Sequence, residues 1–119
     1  MIIAVDFDGC LCKNRFPDIG EPNLYLIDSL RQNQREGSQI ILWTCRQDKL
    51  LEQAVNFCKS YGLHFDAVND NVPEAINQLG INPRKVFAHL YIDDKSAKPY
   101  WNRPDKPKKE RKPAKAAFF

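Results

Sequence analysis

Short apolar runs alternate with amphipathic stretches along this chain, and most boundaries carry a turn or cap residue. Residues 2–6, IIAVD, form a β-branched apolar run of the kind buried on both faces of a parallel sheet, and the run stops at the acidic turn DFDG. The pattern predicts a strand that delivers carboxylates to its C-terminal end. Residues 7–21 contain Gly9, Pro17 and Gly20 with little periodicity, and they read as a long loop or hairpin-like excursion. So long an irregular stretch in so small a chain points to function. From Pro22 to Glu36 the apolar positions Leu24, Ile27 and Leu30 fall at helical spacing, with Pro22 suited to the first helical position and Gly37 to a left-handed cap.

A second apolar strand, SQIILWT, covers residues 38–44. A second helix follows from Asp48 to Tyr61, with Leu51, Ala54, Val55, Cys58 and Tyr61 on one face and Gly62 after it. Phe65–Val68 predicts a short third strand, Pro73–Leu79 a short helix closed by Gly80, and Lys85–Ile92 (KVFAHLYI) a fourth strand ending in Asp93 and Asp94. Strands alternating with helices imply right-handed crossovers and an α/β fold, in which a single mostly parallel sheet is doubly wound and covered on both faces.

A length of 119 residues holds one such core and no second. No apolar run approaches the roughly 20 residues of a membrane span, and the aspartates of MIIAVDFDGC interrupt what a signal peptide needs, so a cytoplasmic protein with no membrane partner is expected. Cys10, Cys12, Cys45 and Cys58 lie in or beside apolar segments and read as free thiols; without a CxxC pair, and with His64 and His89 isolated, a structural zinc site is disfavoured. The formal charge of +3 is unevenly placed: residues 98–119 hold eight of the 18 Lys/Arg and two of the 15 Asp/Glu. The reading is a mildly acidic domain over residues 1–97 and a flexible basic tail over 98–119, rich in lysine and proline.

In open α/β sheets ligands bind beyond the carboxyl ends of the strands. The residues there are Asp6 and Asp8, then Thr44, then Asp93 and Asp94. If residues 6–8 continue the extended chain, Asp6 and Asp8 face the same side. Like charges so close repel unless a cation sits among them, and an oxygen-only cluster with room for water and phosphate favours Mg²⁺ over a fully caged Ca²⁺. Any one aspartate after a strand is an ordinary turn former; a buried strand ending in DxDG together with another ending in DD is a constellation. Arg46, two residues beyond Thr44, reads either as a phosphate contact or as a surface charge.

DFDG at Asp6–Gly9, LWT at Leu42–Thr44, Lys85, and YIDD at Tyr91–Asp94 resemble the four ordered motifs of the haloacid dehalogenase (HAD) superfamily, in particular its short, capless, phosphatase-like members with a Rossmannoid sheet. The resemblance covers residues 1–96. It implies a Mg²⁺-dependent phosphomonoester hydrolase working through an aspartyl-phosphate. Asp6 would be the nucleophile, and Asp8 the acid that protonates the leaving oxygen and then takes a proton from water, which requires it to start neutral. Asp93 would hold Mg²⁺ with the Asp6 carboxylate and the Asp8 backbone carbonyl, and Asp94 would be a direct or indirect helper. Thr44 would donate to a phosphate oxygen and Lys85 would supply positive charge, with Arg84 its competitor.

Cys10 stands where the family usually has Thr or Val after DG, no segment has room for a cap domain, and a fifth strand is not expected after the DD motif, where Pro99, Pro104 and Pro107 interrupt the sequence. A capless site either accepts a large substrate or borrows cover from a second subunit in a homo-oligomer. The tail, with Tyr100 and Trp101 among its lysines and arginines, suits a nucleotide or a polynucleotide end as the phosphate ester. The rival reading is a non-catalytic nucleic-acid-binding or interaction module that keeps the fold and uses the basic tail. Receiver domains share the residue types but phosphorylate an Asp on a middle strand, and the P-loop signature is absent.

Overall fold

The apolar residues Ile2–Val5 are buried on both faces, and they form the inner strand β1 of a computed structural model that describes residues 1–97. The predicted tail of residues 98–119, with Tyr100, Trp101, Phe118 and Phe119, lies outside the described residues. In chain order the remaining elements are β2 (Cys12–Arg15), β3 (Asp18–Pro22), α1 (Leu24–Arg35), β4 (Gln39–Leu42), α2 (Asp48–Ser60), β5 (Ala67–Val68), α3 (Pro73–Leu79) and β6 (Leu90–Ile92). The fold is mixed α/β. Its main sheet has the order β5-β4-β1-β6 with every pairing parallel, and β2 and β3 form a separate antiparallel hairpin.

Strand alternation divides the core. Ile3, Val5, Ile40 and Leu42 pack with Leu26, Ile27 and Leu30 of α1 and Ala54 and Cys58 of α2. The intervening Ile2, Ala4 and Ile41 pack with Val72, Ala75 of α3 and Val86. Each fully buried Leu, Ile or Val contributes roughly 1.5–3 kcal/mol, so a charge placed at Ala4 or Ile41 would break the sheet's packing on that side. Among the described residues no helix is long and apolar enough to cross a membrane.

Several boundaries differ from the sequence reading for local reasons. Pro22 does not open α1; it ends β3 opposite Cys12, while Asn23 caps the helix by accepting from the Leu26 N–H at 3.2 Å. The excursion over residues 7–21 is a hairpin, closed where Gly20 lies against Lys13: a Cβ there would come 2.1 Å from the Lys13 carbonyl oxygen. The run KVFAHLYI is a strand only at its end. Val86 turns into the α3-side core and the Phe87 N–H donates to the Asn71 side chain, so Lys85 through His89 is not laddered until His89 donates to the Ile2 carbonyl at 2.8 Å. Cys10, Cys12 and Cys58 are buried free thiols and Cys45 is an exposed one.

Candidate functional site

Because the four main strands run parallel, their C-terminal ends share one edge of the sheet. Hydrogen bonds carry the pairing just past the strands: Asp6 N–H donates to the Ile92 carbonyl at 2.9 Å, Trp43 N–H to that of Val5 at 2.9 Å, and Asn69 N–H to that of Leu42 at 2.8 Å. Asp6, Thr44 and the Asp93–Asp94 pair are thus brought to one place by backbone register, as the sequence predicts.

Phe7 is fully buried in the α1/α2-side core, which leaves its two acidic neighbours at the edge. One Asp6 oxygen accepts the Phe7 N–H at 2.8 Å. The carboxylates of Asp6 and Asp94 and the thiol of Cys10 present ligand atoms within 4.8 Å of one another. Asp94 reaches this position over Gly9, whose φ is +88° and whose missing Cβ would lie 2.3 Å from Asp94 Oδ2. Burial first, and then the charges of Asp93, Asp94 and Asp8, push the Asp6 carboxyl up to about 6 against the lowering effect of the Phe7 N–H. Burial also pushes the Cys10 thiol up to about 11, with Asp6 and Asp94 adding to it, and its Sγ donates to the Ile92 carbonyl at 3.9 Å. The cluster thus sets two carboxylates beside one buried thiol.

The two terminal aspartates are placed differently. The chain leaves β6 at Ile92 and turns at Asp94 and Lys95, which swings Asp94 over Gly9 toward Asp6. Asp93 instead accepts the Lys95 N–H at 2.9 Å in an Asx turn. It lines a cleft of about 320 Å³ with Trp43, Lys85, Tyr91 and Ser96. Lys85 sits there with its ammonium 5.8 Å from the Tyr91 ring centre; its competitor Arg84 is exposed and does not line the cleft.

Asp8 is not a free acid. Arg46 Nε donates to its Oδ2 at 2.9 Å and Nη2 to its Oδ1 at 2.8 Å. The same guanidinium donates to the Pro17 carbonyl at 3.1 Å and the Asp18 carbonyl at 2.9 Å, and stacks near the rings of Phe7 and Phe16, 5.0 and 5.2 Å from their centres. Arg46 is 1% exposed, so it is no surface charge, and most of its donors are already engaged within the protein. The hydrogen bond with Asp8 raises its pKa further against the opposing effect of burial. An Asp8 whose two oxygens both accept from a guanidinium has the hydrogen bonding of a carboxylate, which departs from the neutral acid expected.

Thr44 donates its N–H to Asn69 Oδ1 at 2.8 Å, while its Oγ1 accepts the Arg46 N–H at 3.2 Å, leaving the hydroxyl proton to donate. Asn69, with φ +51°, went unnoticed in the sequence; an Asn directly after an apolar run is the signal that marks it.

No protein-family model matches the chain, and no curated protein matches it. A solved structure does: that of a conserved protein from Bacteroides thetaiotaomicron, with a TM-score of 0.71 and 40% identity over 85% of this chain and 83% of that one. At that identity and coverage, this chain belongs to the same family as the conserved Bacteroides thetaiotaomicron protein.

Proposed function

We propose that the chain is a Mg²⁺-dependent phosphomonoester hydrolase of the HAD type, capless and with a doubly wound Rossmannoid sheet. The observation that carries this reading is the grouping of the Asp6 and Asp94 carboxylates at the C-terminal edge of a parallel sheet, with Thr44 on the adjoining strand end. Such a grouping costs free energy unless a cation or phosphate chemistry gives it a use.

The donors fit a small hard cation. Asp6 and Asp94 would hold it, with Asp93 and the Asp8 backbone carbonyl as further oxygens. Bound Mg²⁺ would neutralise the carboxylates enough for a phosphate dianion to approach. The Asp6 oxygen not bonded to the Phe7 N–H attacks phosphorus in line, forming a P–O bond to the aspartate as the ester P–O bond breaks. Thr44 would donate its hydroxyl to a phosphate oxygen, and Lys85, which lines a cleft with Asp93, would supply positive charge near the group. To serve the leaving oxygen, Asp8 would first take a proton from solvent and leave the two-pronged hold of Arg46, and would then pass that proton on. It then takes one from the water that attacks the aspartyl-phosphate, which returns Asp6 as a carboxylate; an ion-paired Asp8 serves this second half directly.

The reading is tested by hydrolysis of a generic aryl phosphate with and without Mg²⁺, in the full chain and in Asp6→Asn. Metal-dependent turnover lost in the variant supports it. Absence of turnover on any phosphate ester, with salt-sensitive oligonucleotide binding that disappears on deleting residues 98–119, replaces it with the binding-module reading.

A further inference from the structure

The turn Phe16–Asp18 is solvent-exposed, and the contacts within the hairpin do not tie it to the domain: Lys13 pairs with Glu21 across β2 and β3, and the Phe16 N–H bonds to Asn14. At the hairpin's base, Gly9 N–H donates to the Cys12 carbonyl and Asn23 N–H to that of Leu11, and Ile19 rests against the core. Among the described residues, the hydrogen bonds from the turn to the rest of the chain are those that the Pro17 and Asp18 carbonyls accept from Arg46. The other side of that guanidinium holds both oxygens of Asp8. A guanidinium is planar and rigid, so the positions of its partners on either side are not independent.

We infer that Arg46 is a positioning residue that makes the placement of the hairpin and the orientation of Asp8 a single variable. Whatever moves the turn moves the Asp8 carboxylate, and whatever displaces Asp8 frees the turn. A substrate resting on the exposed face of Phe16 therefore adjusts Asp8 without touching it, since the Phe16 ring lies against Arg46 on its other side. The kinetic consequence rests on the hydrolase reading; the coupling itself does not.

Amide hydrogen exchange in the full chain tests the coupling without any turnover. In Asp8→Asn, the amides of residues 15–21 are expected to exchange about tenfold faster or more beyond whatever acceleration α1 and α2 share from the lost ion pair, while Asp6→Asn leaves the hairpin unchanged. Unchanged hairpin exchange in Asp8→Asn overturns the inference. So does equal acceleration in α1 and α2, which would mark a general loss of stability. Phe16→Ala, a substitution at an exposed position, covers the case in which changes at the buried pair prevent folding: it is expected to speed hairpin exchange similarly and, on an aryl phosphate, to lower kcat about tenfold with KM within about twofold. A Phe16→Ala chain with wild-type hairpin exchange contradicts the coupling. Turnover that depends on Asp6, found together with a hairpin indifferent to Asp8, removes this inference and leaves the hydrolase reading standing.

Discussion

Both oxygens of Asp8 are held by the guanidinium of Arg46, at 2.9 and 2.8 Å, in a pair that is almost wholly out of water on the arginine side. The two residues are 38 positions apart in the chain, and their contact joins the end of β1 to the segment between β4 and α2. Removing one member leaves the other buried and uncompensated. Arg46→Met is expected to cost about 3–5 kcal/mol in urea unfolding, and Arg46→Lys less, because a point charge keeps the pair but not the two-pronged fit. The double change Asp8→Asn with Arg46→Met should cost less than the two single losses added together.

Asp6 makes a pH prediction with a definite sign. Its carboxyl rises from an ordinary 3.8 to about 6, chiefly through burial, so its contribution to stability is complete below 3.8 and is lost as pH rises through about 6. In the presence of a chelator the wild-type Tm is expected to fall across that window more steeply than the Tm of Asp6→Asn, and the variant should be the more stable of the two at neutral pH. Parallel curves for the two proteins would show that Asp6 is not strained by its neighbours.

Gly9→Ala separates backbone strain from site geometry. The positive φ of +88° costs an L-residue about 1 kcal/mol of stability. The added Cβ would meet Asp94 Oδ2 at 2.3 Å, and the free end of a side chain yields more easily than backbone. Asp94 is therefore expected to turn away from Asp6, weakening Mg²⁺ binding by about tenfold or more in a calorimetric titration. Unaltered Mg²⁺ affinity would remove Asp94 from the cation site.

Lys85 and Arg84 are adjacent in sequence but only Lys85 lines the cleft with Asp93. Lys85→Met is expected to lower kcat/KM on an aryl phosphate by about 10²-fold, and Arg84→Met to leave it within about twofold. The reverse pattern would transfer the role to Arg84.

The sequence made the sheet legible because β1 and β4 are β-branched runs with no competing period, and α3 was bounded correctly by Pro73 and by Gly80, whose φ is +73°. The hairpin was less legible, since CKNR and DIGEP are mostly exposed and polar and show no alternation to read. KVFAHLYI looked like one strand because an apolar run does not reveal that Val86 goes into the α3-side core while Phe87 bonds to Asn71. The acidic edge followed from strand ends alone. The state of Asp8 did not, because a charge partner 38 residues away is set by tertiary packing, and no local spacing points from Asp8 to Arg46.

A hydrolase of the proposed kind carries a phosphoryl group on Asp6 during turnover. Acid-quenching the full chain while it hydrolyses an aryl phosphate in Mg²⁺, followed by peptide mass spectrometry, reads that directly. The expected result is one phosphoryl group on the peptide containing Asp6, absent without Mg²⁺ and absent in Asp6→Asn. Turnover at the wild-type rate by Asp6→Asn, or steady turnover of the wild type with the Asp6 peptide never modified, would contradict the account.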